Sequence, residues 1–200
     1  MLEARDLECE RGGKVLFRHL GFALSPGETL RIAGANGSGK TSLLRILCGL
    51  LTPSAGEVLW NGARIQSLKE EYARHVLYVG HAPAVKDELT GAENLRAACV
   101  LAGLSPSAEQ TRDALARFGV PVDKPVRQLS QGQRRRAALA RLSVSWKAPV
   151  WLLDEPFTAL DAAAADLTRT LLGEHAQRGG SVAYSTHQDA GLRDSRVIEL

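Results

Sequence analysis

The chain has 200 residues, 44% of them hydrophobic, enough for one sizeable core and an expected single domain over residues 1–200. Twenty-five basic and 22 acidic residues leave a net charge of +3, an excess too mild to imply a nucleic-acid partner. Three cysteines, Cys9, Cys48 and Cys99, are far apart and odd in number, which suggests neither a disulfide framework nor a Cys-x-x-Cys metal site.

The charged start MLEARDLECE lacks the apolar stretch of a signal peptide, and no run approaches the ~18 apolar residues of a membrane span. The expectation is a soluble, cytosolic protein that meets a membrane only through a partner.

In chain order, Leu2–Glu10 alternates loosely and predicts a strand, and Val15–Leu24 predicts another, followed by the turn Ser25-Pro26-Gly27-Glu28. Thr29–Ala33 is a short strand running into the glycine-rich stretch Gly34–Gly39. Lys40–Leu50 has helical periodicity and stops before Pro53. Gly56–Asn61 reads as an edge strand and Val76–Gly80 as a buried one. From about residue 83 to 128 the pattern is helical, with Gly91–Leu104 and Pro106–Phe118 as its helices. This segment reads as a helical insertion between two halves of an α/β core.

Ser130 suits the N-cap of a helix from Gln131 to about Ser145. Arg134-Arg135-Arg136 is the only dense basic run and reads as a solvated helix face. Val150–Leu153 is fully apolar, as suits a strand covered on both faces, and ends in Asp154-Glu155. Leu160–His175 is helical, Ser181–Ser185 is a strand, and Arg196–Leu200 is the last one. Strands alternating with helices predict a three-layer α/β fold.

Gly34-Ala35-Asn36-Gly37-Ser38-Gly39-Lys40-Thr41 fits the phosphate loop G-x-x-x-x-G-K-[ST]. Glycines let the backbone wrap tightly, so that successive N–H groups point at phosphate oxygens. The helix beginning near Lys40 adds its positive end. Lys40 reaches the β- and γ-phosphates, and Thr41 ligates Mg²⁺. Asp154, at a buried strand end, holds Mg²⁺ through water, and Glu155 polarises the attacking water. Leu129-Ser130-Gln131-Gly132-Gln133 is a serine-capped, glycine-bearing helix start, a second anion site.

With these motifs in this order, the sequence resembles the ATP-binding-cassette (ABC) family over essentially the whole chain. The resemblance assigns Gly34–Thr41 and Ser42 to ATP binding, Leu129–Gln133 as the signature, Asp161 within Ala159-Leu160-Asp161 as the D-loop and His187 as the switch histidine. It implies a P-loop NTPase cassette: a mostly parallel core sheet, an antiparallel β subdomain and a helical insertion. It also implies a homodimer or paired cassette, in which Ser130 and Gly132 face the γ-phosphate held by the other subunit. Two positions depart from the family pattern. Arg11 stands where many members stack an aromatic ring on adenine, and His81 stands where the family has a glutamine that meets Mg²⁺.

Tyr78-Val79-Gly80-His81-Ala82-Pro83-Ala84-Val85-Lys86, Glu88-Leu89-Thr90 and Glu93-Asn94-Leu95, with Arg11-Gly12-Gly13, are similar to the ATP-binding subunits of bacterial cytochrome c maturation systems, often called haem exporters. That resemblance implies a peripheral protein on the cytoplasmic face of the inner membrane, with separate integral-membrane subunits. Haem export and release of a haem-loaded chaperone both stay open as the work done. The alternatives are a soluble cassette acting on a cytosolic client, as in iron–sulfur assembly, and the ATPase subunit for a different transported substrate.

Overall fold

Strand β1 (Leu2–Arg11) turns back at Gly12-Gly13 into β2 (Lys14–Leu24), and the two pair antiparallel. Leu2 and Ala4, and then Leu7 and Cys9, are buried with the period a strand imposes, the phase shifting at a register irregularity between Ala4 and Leu7 where Asp6 takes φ 47°. The other edge of β1 pairs with β4 (Ala55–Trp60). Asn61 and Gly62 both take positive φ (50° and 83°), the geometry of a two-residue hairpin turn. They fold the chain into a two-residue strand β5 (Ala63–Arg64), giving the order β2-β1-β4-β5. The strand expected at this sheet's edge therefore lies one place in from it.

This computed structural model describes residues 1–187, 191–192 and 195–200. Its second sheet contains β3 (Thr29–Ala33), β6 (Val76–Val79), β7 (Val150–Asp154), β8 (Ser181–Ser185) and β9 (Arg196–Glu199), in the order β6-β7-β8-β3-β9. Every pairing in it is parallel. Strands β7 and β8 are buried at every residue, as central parallel strands are. Strand β6, expected to be buried, is an edge strand with alternate burial.

The sheet divides two hydrophobic layers. Val150 and Leu152 project to one side, with Leu30, Ile32 and Ala183, against helix α1 (Lys40–Leu47) and the antiparallel sheet. Trp151 and Leu153 project to the other side, with Val182 and Tyr184, against the remaining long helices. Helix α1 ends at Leu47 rather than at Leu50, because the chain turns at Gly49 (φ 80°). Two single-turn helices, α2 (Ile65–Leu68) and α3 (Glu70–Ala73), were not legible in the sequence.

Helices α4 (Gly91–Leu101) and α5 (Ala108–Arg117) each begin at a capping box, Thr90 with Glu93 and Ser107 with Gln110. Helix α6 (Gln131–Leu139) is capped by Ser130 as expected, but tightens into a 3₁₀ segment at Ala140–Val144 instead of running on as one helix. Helix α7 (Ala162–Gln177) is capped by Asp161. Among the described residues, no helix is long and apolar enough to cross a membrane.

Candidate active site

Parallel strands deliver their C-terminal ends to one edge of the sheet, where open α/β folds bind ligands. Here β3, β8 and β7 are neighbours, and Ile32 and Asp154 both align with Ser185. The glycine-rich loop leaves β3, His187 follows β8 by two residues, and Asp154-Glu155 closes β7. Topology thus gathers segments that lie more than a hundred residues apart in the chain.

The loop Gly34–Gly39 depends on glycine where a side chain cannot go. A Cβ on Gly34 would lie 2.6 Å from the Leu200 carbonyl oxygen and 2.7 Å from Ser38 Oγ. Gly39, the N-cap of α1, has φ 113° and offers no side-chain cap, so the first N–H groups of α1 stay open to an anion. Lys40 is buried and donates from Nζ to Gly34 O (2.8 Å) and Ala35 O (2.9 Å). That uses two of its three donors. Ala35, Asn36 and Gly37 are exposed on the loop crest. Ser38 Oγ is buried with no hydrogen-bond partner among the described residues. Ser42 sits in the first turn of α1.

Asp154 is 1% exposed, and both its oxygens accept hydrogen bonds. Thr41 Oγ1 donates to Oδ2 (2.8 Å) and Ser185 Oγ donates to Oδ1 (2.7 Å). Ser185 Oγ in turn accepts from the Glu155 N–H (2.9 Å). Glu155 is 8% exposed and holds a left-handed backbone (φ 51°), uncommon for a residue with a Cβ. His187 Nε2 stands 3.0 Å from Glu155 Oε1. That oxygen nevertheless accepts no aligned hydrogen bond among the described residues. Thr158 Oγ1 is 3.4 Å from Oε2. A buried carboxylate oxygen with spare capacity is what a water molecule would occupy.

The signature segment lies apart from this cluster. Ser130 and Gln133 satisfy each other, Gln133 N–H donating to Ser130 Oγ (3.2 Å) and Ser130 N–H to Gln133 Oε1 (3.0 Å). Ser130 and Gln131 are exposed, Leu129 is buried, and a Cβ on Gly132 would meet Ala159 O at 3.3 Å. No hydrogen bond among the described residues joins Leu129–Gln133 to Gly34–Thr41. Asp161 caps α7 through Ala164 N–H (2.8 Å) and pairs with Arg136 of α6.

The basic run is not a uniformly solvated face. Arg134 pairs with Asp87 and Arg136 with Asp161, while Arg135 is 4% exposed. Its guanidinium donates to four backbone carbonyls, those of Gly80 (2.6 Å), His81 (3.1 Å), Asp154 (2.7 Å) and Glu155 (2.8 Å). Arg135 and Ser185 are the residues here that motif reading missed. The His81 side chain is exposed, and Arg11 is exposed at the end of β1. Leu16 and Phe17 of β2 press on Gly39 at 3.1 Å from its Cβ position, which lays the hairpin beside the loop.

The sequence pattern of the ABC transporter family matches residues 17–158, well over half the chain. The chain belongs to that family, and is an ATP-hydrolysing cassette. Among curated proteins it is 54% identical to the "Cytochrome c biogenesis ATP-binding export protein CcmA" of Aromatoleum aromaticum, over 95% of this chain and 90% of that one. It is 44% identical to the protein of the same name in Escherichia coli, over 100% and 95%. Among solved structures, an ATP-binding subunit of an ABC transporter superposes with a TM-score of 0.88 at 27% identity, covering 100% of this chain and 85% of that one. An ABC transporter ATP-binding protein from Pyrococcus furiosus gives a TM-score of 0.85 at 27% identity, covering 100% and 96%.

Proposed function

We propose that this chain is the motor subunit of a membrane ABC complex for c-type cytochrome biogenesis, working from the cytoplasmic face of the inner membrane. The observation that carries the chemistry is the meeting of Thr41, Ser185, Asp154, Glu155 and His187 in one chain of contacts beside Lys40. The biological role is supported by relatives at 44–54% identity that share the cytochrome c biogenesis name.

ATP lies with its phosphates on the N–H groups of residues 34–42 and with Lys40 Nζ on the β- and γ-phosphates. Mg²⁺ fits Thr41 and Asp154, an all-oxygen donor set, and when bound it supplies positive charge to the phosphate oxygens. Glu155 orients a water molecule against the γ-phosphorus and accepts its proton, while ADP leaves in line. His187 contacts the γ-phosphate from beside Glu155. The exposed Ser130 and the half-buried Gly132 serve the nucleotide of a second cassette, in a two-fold dimer with residues 83–128 as its helical arm. Membrane subunits dock by the cleft of about 420 Å³ between β6 and α4, next to exposed Leu101 and Val100.

The test is replacement of Lys40 by alanine in the host, followed by staining of membrane proteins for covalent haem. The expected result is loss of c-type cytochromes with b-type cytochromes intact. Normal c-type cytochromes in a host with no second gene copy would reject the role.

A further inference from the structure

Arg135 belongs to α6, the helix that Ser130 opens, yet its guanidinium leaves that helix for the ends of two neighbouring strands. Strands β6 and β7 are in register, Val79 opposite Leu153, so the next residues, Gly80 and Asp154, stand side by side. One terminal nitrogen of Arg135 takes the carbonyls of Gly80 and His81, and the other takes those of Asp154 and Glu155. The planar fork of arginine suits this; a lysine ammonium has three donors at one point and no fork.

Glu155 is held on both sides. Its N–H is fixed by Ser185 Oγ at 2.9 Å, and its carbonyl by Arg135 at 2.8 Å. Between these anchors the backbone sits at φ 51°, a region that persists in non-glycine residues only where surroundings over-determine it. The direction of the carboxylate follows from that backbone. Burial pulls the Arg135 pKa down, and the charges of Asp154 and Glu155 push back. The guanidinium is a buried cation with a defined set of acceptors, not a loose surface charge.

We propose that Arg135 is a positioning residue for hydrolysis: from the signature helix it fixes the Glu155 backbone and ties it to Gly80 and His81, so that these three parts of the site move together. This rests on the assignment of Glu155 as the residue that directs the water. It adds a physical link between the surface offered to a second cassette and the carboxylate that serves the chain's own nucleotide. It also gives the His81 segment a role through its backbone carbonyl, whatever the side chain does.

The experiment compares the full-length parent with Arg135→Lys, Arg135→Gln, Glu155→Gln and the Arg135→Lys/Glu155→Gln double variant. Single-turnover hydrolysis of Mg-ATP is read beside the Kd for a fluorescent ATP analogue and the melting temperature. The expected result is a rate at least about tenfold lower in both Arg135 variants, with Kd within about twofold of the parent. In the Glu155→Gln background, Arg135→Lys should produce no further loss, because it acts through the carboxylate that this substitution has already replaced. Parent-like rates in either folded Arg135 variant overturn the proposal. So does a loss of rate matched by an equal loss of affinity, and so does an additive effect in the double variant. If Glu155→Gln alone turns over at the parent rate, the assignment of Glu155 falls first, a distinct failure. Should Arg135→Lys not fold, Arg135→Gln carries the comparison, its amide still able to donate to one pair of carbonyls.

Discussion

At the scale of single residues, the site joins groups whose partners are legible in sequence to groups whose partners are not. Lys40, Thr41, Asp154 and Glu155 belong to local motifs, and the fold sets Thr41 against Asp154. Ser185 and Arg135 carry no such pattern, because they bind a side chain or backbone groups far away in sequence. Three consecutive helical residues spread over about 200°, so the run alone does not say which of Arg134–Arg136 faces inward. Arg135, on the same helix as the buried Ala137 and Ala138, is the member that turns inward. Glu155→Gln tests the chemistry directly. The amide is isosteric but cannot accept a proton, so turnover should fall by roughly 100-fold or more while ATP still binds. Phosphate release measures the rate and a fluorescent ATP analogue measures binding. Turnover at the parent rate would remove Glu155 from the mechanism.

At the scale of elements, strands and helix starts were legible, and helix ends and sheet positions were less so. Capping residues announce a helix, whereas its end depends on what the last turn packs against. The edge position of β6 depends on strand order, which period-2 patterns do not encode. The packing of α7 onto β7 was also hidden. His175 lies flat on Trp151, ring centroids 3.8 Å apart and planes 5° from parallel. Gly180 is the residue that leaves room, since a Cβ there would come within 2.2 Å of His175 Nε2. Burial, with the charge of Arg178 also opposing protonation, lowers the His175 pKa to about 4. An unfolded chain has this group near 6.5. Below pH 6.5 the unfolded state therefore takes up the proton first, and stability falls with pH through the window from 6.5 to 4. Between pH 6.5 and 5 the loss from this group is about 1.5 kcal/mol. His175→Phe keeps an aromatic ring on Trp151 and removes the titration. Denaturant melts at the two pH values should show a smaller loss for the variant than for the parent. Equal losses would remove His175 as the source.

At the scale of the whole molecule, the phosphate loop and the signature are presented on separate parts of the surface, and the chain offers each without using the other. Ser130 is exposed, its hydroxyl caps only its own helix, and its capping box is complete within the chain. A second copy related by a two-fold axis would bring each signature to the other's γ-phosphate, and two equal contacts would close the assembly. Ser130→Arg crowds that junction but also removes the cap, which costs about 1 kcal/mol by itself. Ser130→Asp separates the two effects. Aspartate caps a helix as well as serine does, so the monomer should melt within about 0.5 kcal/mol of the parent. Its carboxylate would nevertheless face the γ-phosphate across the interface, like charge against like. Both variants should bind ATP as monomers with parent affinity, because Gly34–Thr41 is untouched. Glu155→Gln, which holds ATP without hydrolysing it, should accumulate an ATP-dependent dimer; neither Ser130 variant should allow it, so each is combined with Glu155→Gln and run on a sizing column with Mg-ATP. A dimer peak from Ser130→Asp equal to that of Glu155→Gln alone would mean that the signature does not meet the nucleotide across the interface, and the head-to-tail arrangement would fall.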